Sequence, residues 1–397
     1  MNAQQQSTRH RAARGRARRP QVTLVVPFLS EFRRSFYRRL EADLDERGIG
    51  FVLAFGAPYS RDLKERQDSV EMAGAVRLPQ WSTEVAGRPV VHKRIGPLVR
   101  SSDVLVVDQS LRNLELYPLL LRQWAGCGPT VAMWDHGRTY TRPQSRLEQS
   151  LKFALTRQAR WFFSYTAGGA RAVTGQGFPG QRVTVVQNAV DTAALDAAYR
   201  AVTPEQLAAL RAEYGLRAGR TGLFVGALST GKRIPFLVEA AEEVARRLPG
   251  FRLLVAGTGE HRALVERAAA AGRAVVPVGQ AFGARKALLG AVSDVMLMPG
   301  LVGLCAVDSF VLRTPVVTTP WPWHAPEFEY LEDGRNALVA PDDPVRYAAA
   351  VADLLTRPAD LEALRQAGEQ DAGRYTVEEM SRRFADGLVD LLAERGR

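Results

Sequence analysis

Short apolar runs alternate with amphipathic segments through the first half of the chain. Runs such as QVTLVVPF and DVLVV have the composition of buried strands, and the segments between them carry apolar residues at helical spacing. Strands that alternate with helices favour a parallel sheet of the doubly wound type. The predicted strands are residues 21–28, 51–55, 103–107, 130–134, 161–165 and 182–186, and the predicted helices are residues 31–47, 111–124, 144–157 and 167–176.

The same alternation restarts at residue 221, after a segment rich in Ala, Arg and Glu that is typical of a helical connector. The predicted strands there are residues 221–225, 251–256, 275–278, 295–298 and 315–319. Two such sets predict an α/β fold with two doubly wound Rossmann-like domains facing a cleft. The predicted division is a disordered basic tail (1–20), an N-terminal domain (21–198), a helical connector (199–219), a C-terminal domain (220–375) and a last helix that crosses back to the first domain (376–397).

Positive charge is concentrated at the N-terminus, since the chain has a net charge of +11 and its first 20 residues hold six Arg and no acid. Such a tail offers nucleic acid only a salt-sensitive, sequence-independent affinity. No apolar run reaches the length of a transmembrane helix and no signal core opens the chain, so we expect a cytoplasmic protein. None of the five His has ligand spacing and no Asp-x-Asp occurs, so we expect no metal site.

The segment from residue 293 to residue 341 carries the clearest chemistry. Its apolar run ends at Pro299-Gly300, and Gly303 then precedes residues at helical spacing. A turn of this kind presents free backbone N–H groups, so it predicts a diphosphate site. Asp308 lies about one turn into the helix, where its carboxylate could accept hydrogen bonds from sugar or ribose hydroxyls.

The order of features in this segment is a strand, Pro-Gly, Gly-Leu, an acid, Thr-Pro-Val-Val-Thr, an acid, Asp-Gly, Asn, Leu-Val and Pro-Asp. It resembles the donor-binding half of the retaining glycosyltransferases of family 4, the group 1 glycosyltransferases, which have the GT-B fold. The resemblance covers most of residues 219–345 and, more weakly, residues 21–200. It implies a nucleotide-sugar substrate bound to the C-terminal domain, an acceptor bound to the N-terminal domain, and neither a cofactor nor a metal.

The resemblance implies that Lys232 lies on the donor diphosphate. Ala227 stands where the family usually has Arg, and Arg233 is the candidate for replacing that cation. Asp308 falls on the second of two family acids separated by seven residues, and Gly300, which has no side chain, falls on the first. The predicted nucleotide-sugar-binding residues are Gly226, Lys232, Arg233, Val278, Gly300, Gly303, Leu304 and Asp308.

Three further positions complete the predicted catalytic set. Glu327 matches the family's Pro-Glu context and Glu329 matches the spacing before Asp-Gly, so the two are comparable candidates for the acid that is missing at Gly300. His136 ends a first-domain strand and resembles the family histidine that faces the transferred sugar. The predicted catalytic residues are therefore His136, Lys232, Glu327 and Glu329.

The resemblance implies a metal-independent hexosyltransferase that acts, with retention, on a glycan or lipid-linked acceptor in cell-envelope or polysaccharide biosynthesis. The helix at residues 31–47 carries Phe32, Phe36 and Tyr37 beside four Arg. This combination predicts that the helix contacts the anionic inner face of a membrane.

Other functions stay open. The departures at Ala227, Gly300 and Asp308 fit a degenerate GT-B protein that binds a nucleotide or a partner without transfer. A sugar-nucleotide 2-epimerase shares the fold, but its usual acid and His constellation is not recognisable here. The sequence leaves the donor sugar, the base, the acceptor and the oligomeric state undetermined.

Overall fold

The structure is a computed structural model that describes residues 18–59, 69–85, 88–140 and 142–395. In these residues the N-terminal domain has a parallel sheet of seven strands, in the order β3-β2-β1-β6-β7-β8-β9, and a separate antiparallel hairpin, β4-β5. The strands are β1 (Gln21–Val26), β2 (Gly50–Phe55), β3 (Val76–Arg77), β4 (Gln80–Val85), β5 (Arg88–Lys93), β6 (Val104–Val107), β7 (Thr130–Asp135), β8 (Trp161–Ser164) and β9 (Val183–Val185). The helices of this domain are α1 (Arg34–Glu46), α2 (Gly96–Ser101), α3 (Leu116–Trp124), α4 (Arg146–Thr156) and α5 (Ala167–Thr174).

The C-terminal domain has a parallel sheet of six strands. Two helices, α6 (Thr192–Arg200) and α7 (Pro204–Tyr214), lead into it. Its strands are β10 (Thr221–Val225), β11 (Arg252–Ala256), β12 (Val275–Gly279), β13 (Val295–Met298), β14 (Val316–Thr318) and β15 (Ala337–Val339), in the order β12-β11-β10-β13-β14-β15. Its helices are α8 (Ile234–Arg247), α9 (Arg262–Ala270), α10 (Gly283–Val292), α11 (Cys305–Val311), α12 (Pro344–Leu355) and α13 (Pro358–Ala372), and the last helix is α14 (Val377–Arg395).

The two sheets confirm the predicted α/β class of two Rossmann-like domains. In both sheets the strand order reverses beside the first strand, which is the topology that leaves a ligand crevice at the carboxyl ends of the strands. The β4-β5 hairpin was not predicted, because QWSTEV alternates too weakly and almost all of it is exposed. The short strand β15 was also not predicted, although the Leu-Val of the motif order described above lies within it.

Buried apolar side chains determine where the connector helices and the last helix pack. The connector helices pack on the C-terminal core through Leu195 and Leu210. The last helix instead packs on the N-terminal sheet, where Phe384 stacks on Phe163 with ring centroids 4.2 Å apart. Residues 1–17 of the predicted basic tail lie outside the described residues. No helix that the structure describes is long and apolar enough to cross a membrane.

Candidate functional site

The turn between β13 and α11 is fixed by hydrogen bonds to two neighbouring loops. The Leu301 amide donates to the Gly231 carbonyl at 2.9 Å, and the Val302 amide donates to Nδ1 of His324 at 3.0 Å. In the part of the chain that the structure describes, the amides of Gly303 and Leu304 donate no hydrogen bond of their own. Two backbone donors are thus left for a ligand at the end of the sheet.

His324 connects this turn to the loop that follows β14. Its Nε2 lies 2.8 Å from the Thr319 carbonyl and its ring stacks on Phe328 at 4.0 Å. Because Nδ1 accepts from an amide, the proton of the neutral ring is on Nε2. Burial lowers the pKa of His324, with the charges of Lys232 and Arg233 as smaller causes, so the ring is neutral at neutral pH.

Acidification is expected to destabilise the protein through His324. Because the pKa of His324 is lower in the folded protein, the imidazole of the unfolded chain is protonated at a higher pH than that of the folded chain. The neutral ring therefore contributes its full stabilisation above the pKa of the unfolded chain, about 6.5, and this contribution is lost as the pH falls below that value. A protonated Nδ1 would also oppose the Val302 amide. We expect the Tm of the parent to fall more between about pH 7.5 and about pH 5.5 than that of His324→Gln, whose amide has an acceptor and a donor but does not titrate. Parallel pH profiles of the two proteins would exclude His324 as the cause.

Gly300 is required by close packing against the loop after β10. A Cβ at this position would lie 2.5 Å from the Gly231 carbonyl oxygen and 2.9 Å from that of Lys232. No side chain, and therefore no acid, fits here unless the loop moves. The predicted loss of the first family acid thus has a steric cause, and Gly300 contributes shape to the site rather than a polar group.

The two adjacent cations of the β10 loop have different environments. Lys232 reaches the turn, where its ammonium donates to the Leu301 carbonyl at 2.6 Å. Arg233 forms an ion pair with Asp342, and its guanidinium lies between the rings of Phe236 and Trp321, at 4.3 and 4.5 Å from their centroids. These contacts turn Arg233 toward structural partners, so the geometry does not support its expected role as a replacement cation.

The remaining predicted donor residues lie along the same edge of the sheet. Gly226 directly follows β10, and a Cβ on Gly257 would meet the Gly226 carbonyl oxygen, so the two loops are in close backbone contact. Val278 lies at the end of β12, partly exposed. Asp308 is buried in α11 and pairs with Lys286 at 2.7 Å. The sequence analysis did not single out Lys286, because no motif marks it.

A cavity of about 410 Å³ lies between the domains and brings several predicted residues together. The C-terminal domain contributes Gly303, Leu304 and Glu327, and the N-terminal domain contributes His136. The His136 ring packs on Tyr165 at 4.4 Å. Its Nδ1 is buried and has no hydrogen-bond partner among the described residues.

Arg33 is a site residue that the sequence analysis assigned elsewhere. It follows β1 in a 3-10 turn, is 6% exposed, and donates to Oδ1 of Asn188. Asn188 in turn donates to Glu327, so one hydrogen-bonded chain crosses from the N-terminal domain to the C-terminal acid. This corrects the expected basic face of residues 31–47, because Arg33 turns into the cleft and both Phe36 and Tyr37 are buried.

The structure separates the two acids that the sequence left as equals. Glu327 is 3% exposed and lines the cleft, and its Oε2 is the nearest polar side-chain atom to a Cβ built on Gly303, at 3.9 Å. Glu329 points to the other domain, where it accepts from the Gly168 amide at the start of α5 at 2.8 Å. Glu329 therefore joins the domains, and Glu327 is the acid beside the predicted diphosphate turn.

Asp108 is a second cleft residue that the sequence analysis missed. It follows β6, lines the cavity, and accepts from Nδ2 of Asn113 at 2.6 Å. Burial is the main cause of its raised pKa, and the nearby carboxylates of Asp135 and Glu115 add to it. Its position directly after a buried strand could have marked Asp108 as a site residue, because ligands bind at the carboxyl ends of parallel strands. No group of His, Cys, Asp and Glu that could hold a metal ion occurs in the described residues.

Comparisons with known proteins concern the fold and the family of the C-terminal domain. Residues 219–357 match the family model described as glycosyl transferases group 1. A D-inositol 3-phosphate glycosyltransferase of Segniliparus rotundus is 31% identical over 198 residues, which cover 47% of this chain and 42% of that relative. The chain thus spans less than half the length of the curated relative that it matches.

Solved structures resemble the whole chain. HepE from Anabaena, in complex with UDP, matches with a TM-score of 0.64 at 14% identity, covering 94% of this chain and 100% of that one. A glycosyltransferase of Rickettsia africae has a TM-score of 0.67 at 13% identity, with 94% and 99% covered. Sucrose-phosphate synthase of Thermosynechococcus elongatus has a TM-score of 0.64 at 16% identity, with 95% and 100% covered. The comparisons show the GT-B fold and support the group 1 glycosyltransferase family for the C-terminal domain.

Proposed function

We propose that this protein is a metal-independent glycosyltransferase that moves a hexosyl group, with retention, from a nucleotide sugar to a glycan or lipid-linked acceptor. The observation that carries the proposal is the cleft, where the free amides of Gly303 and Leu304 and the carboxylate of Glu327 face His136. The UDP and UDP-glucose complexes of the Anabaena protein support a uridine nucleotide as the donor.

Donor binding is assigned to the carboxyl edge of the C-terminal sheet. Lys232 and the amides of Gly303 and Leu304 are the groups that would hold the diphosphate, because all converge on one turn. Asp308 would accept hydrogen bonds from the ribose, with Lys286 fixing its orientation. Val278 would lie near the base at the end of β12.

The chemistry proposed is departure of the nucleoside diphosphate and attack by an acceptor hydroxyl from the same face of the sugar, with the hydroxyl proton passing to the departing phosphate oxygen. Charge grows on the leaving oxygen as the glycosidic bond breaks, and a preorganised cation and amides stabilise it without a metal. Glu327 would hold the sugar and stabilise positive charge at its ring, and His136, which lines the same cavity, would contact a sugar hydroxyl. Asp108 lines the cleft from the N-terminal domain, the domain to which acceptor binding is assigned.

The setting proposed is the cytoplasmic face of a membrane, in cell-envelope or polysaccharide biosynthesis. The protein would work at this face because a lipid-linked acceptor is anchored in the membrane, whereas the nucleotide sugar reaches the enzyme from the cytoplasm.

Lys232→Ala is expected to weaken UDP binding by about 2 kcal/mol, or roughly 30-fold, because one charge-assisted contact is lost and Arg233 is held elsewhere. Isothermal titration of parent and variant with UDP measures this difference. Arg267→Gln, on the exposed face of α9, is the control for a lost positive charge and should bind like the parent. Equal UDP affinity of Lys232→Ala and the parent would remove the diphosphate site from this loop.

A catalytically inactive nucleotide-binding protein is the second candidate. Ala227 removes one family cation, and the close packing at Gly300 removes one family acid. Such a protein would bind UDP but would neither transfer nor slowly hydrolyse any nucleotide sugar.

A further inference from the structure

The N-terminal domain exposes an apolar surface on α3 and α4, which we call the α3–α4 face. Trp124 is 86% exposed, Leu147 is 70% exposed, Leu121 is 66% exposed and Leu151 is 52% exposed. Positions 117, 121 and 124 share one side of α3, and positions 147 and 151 share one side of α4. The face is defined by Leu114, Tyr117, Leu121, Trp124, Leu147 and Leu151.

The two helices lie next to each other on one side of the sheet. α3 joins β6 to β7 and α4 joins β7 to β8, and these three parallel strands are neighbours. The inner residues of both helices enter the same core, which contains Leu119 and Leu120 of α3 and the partly buried Phe153 of α4. Gln123 of α3 also donates to the Gln158 carbonyl just after α4, at 2.7 Å.

The exposed charges of the segment that carries this face have one sign. Among the described residues from 108 to 160, every exposed charged residue is an Arg, and these are Arg112, Arg122, Arg138, Arg142, Arg146, Arg157 and Arg160. The acids of the same segment are buried or half-buried and have partners. Glu115 pairs with the buried Lys93 at 2.7 Å, and Glu148 pairs with Arg142. The surface therefore combines exposed Trp, Tyr and Leu with a net excess of positive charge, although Arg142 is paired with Glu148.

We infer that the α3–α4 face docks onto an anionic lipid surface. Trp and Tyr favour the boundary between hydrocarbon and headgroups, Leu side chains gain by leaving water, and Arg pairs with lipid phosphates. A cavity of about 590 Å³ beside α4 opens at the same part of the domain, and its charged lining is Arg112, Lys152 and the Arg142–Glu148 pair, which leaves a net positive charge for a headgroup. The inference rests on the proposed function only for its membrane setting.

Other anionic or apolar partners fit this surface less well. A second copy of the chain would bring two sets of Arg together, so self-association through this face is opposed by charge. Nucleic acid would use the Arg residues but would leave the exposed Leu and Trp side chains in water. The earlier candidate surface, α1, packs on the other side of the sheet, in a core with α14, and its Phe36 and Tyr37 are buried.

Vesicle flotation tests the inference, with vesicles of phosphatidylcholine alone or mixed with phosphatidylglycerol. We expect the full chain to float with the anionic vesicles, to float less as salt is added, and to stay behind with the neutral ones. The double variants Leu121→Ala with Trp124→Ala, and Leu147→Ala with Leu151→Ala, should each lower the partition coefficient by about tenfold. Circular dichroism melting checks that these surface changes leave the fold intact.

Two control variants separate this face from other surfaces. Phe282→Ala removes an aromatic ring that is 73% exposed on the C-terminal domain, and Arg38→Gln removes an exposed charge on α1. Both should float like the parent. Equal flotation with neutral and anionic vesicles, unchanged flotation of the α3 and α4 variants, or a Trp124-dependent dimer that does not float would each overturn the inference. UDP titration of the same samples is independent of lipid, so a failure of lipid binding is distinguishable from a failure of the proposed function.

Discussion

Gly300→Ala is expected to disrupt the donor site and to lower the stability of the C-terminal domain by about 1 to 3 kcal/mol. The added methyl group would meet backbone atoms of Gly231 and Lys232, and backbone cannot rotate away as a flexible side chain can. The loop after β10 would have to separate from the β13–α11 turn. Because the Lys232 ammonium and the Leu301 amide both cross that contact, UDP affinity should fall more than tenfold.

Gly303→Ala is the matched control for the stability part of this prediction. A Cβ on Gly303 has its nearest neighbour at 3.6 Å, which is ordinary van der Waals contact. Thermal melting should therefore show a lower Tm for Gly300→Ala and a nearly unchanged Tm for Gly303→Ala. If Gly300→Ala melts like the parent and binds UDP as well, the loop is not packed as the structure describes. A Glu at position 300, the residue type of the resembled family, should disrupt the site at least as much.

Glu327→Gln is expected to lower kcat about a hundredfold while leaving UDP affinity nearly unchanged. The amide oxygen of Gln can still accept from Asn188, so the hydrogen-bonded chain to Arg33 is preserved and only the charge is lost. A charge that acts on the sugar in the transition state affects kcat, whereas the diphosphate is held by other groups. Steady-state kinetics combined with UDP titration separates the two effects.

Glu329→Gln is the control, because it is an acid on the same short segment with a different contact. Its oxygen accepts from the Gly168 amide, and its ion pair with the exposed Arg171 is 3.8 Å long, so kcat should change less than about threefold. If the larger loss occurs in Glu329→Gln, the assignment of the two acids is reversed. Equal, small losses in both variants would remove the carboxylate from the mechanism.

Much of the fold could be predicted from the sequence because parallel strands are buried on both faces. Runs such as Val295 to Met298 and Thr130 to Trp134 are therefore almost wholly apolar and are recognised without tertiary information. The β4-β5 hairpin gives no such signal, because its first strand is almost entirely exposed. Residues 31–33 were predicted as helix but form a 3-10 turn, and that local difference directs Arg33 into the cleft.

The candidate site was less predictable, since it depends on contacts across the chain. The sequence, together with the family resemblance, predicted Lys232, Gly303 and Asp308 as donor-binding residues. It could not show that Arg233 is held by Asp342, nor which of two acids faces the cleft, because both depend on how loops far apart in sequence pack. The link from Arg33 through Asn188 to Glu327 spans almost three hundred residues and follows from no local pattern.

Release of nucleoside diphosphate from a panel of nucleotide sugars, in the presence of a membrane extract as the source of acceptor, tests the central claim most directly. The account predicts release from at least one donor, UDP-hexoses foremost, by the parent, and a rate about a hundredfold lower for Glu327→Gln at unchanged nucleotide affinity. Saturable UDP binding by the parent without release from any donor would contradict the account, and the cleft would then be a nucleotide-binding site without transfer.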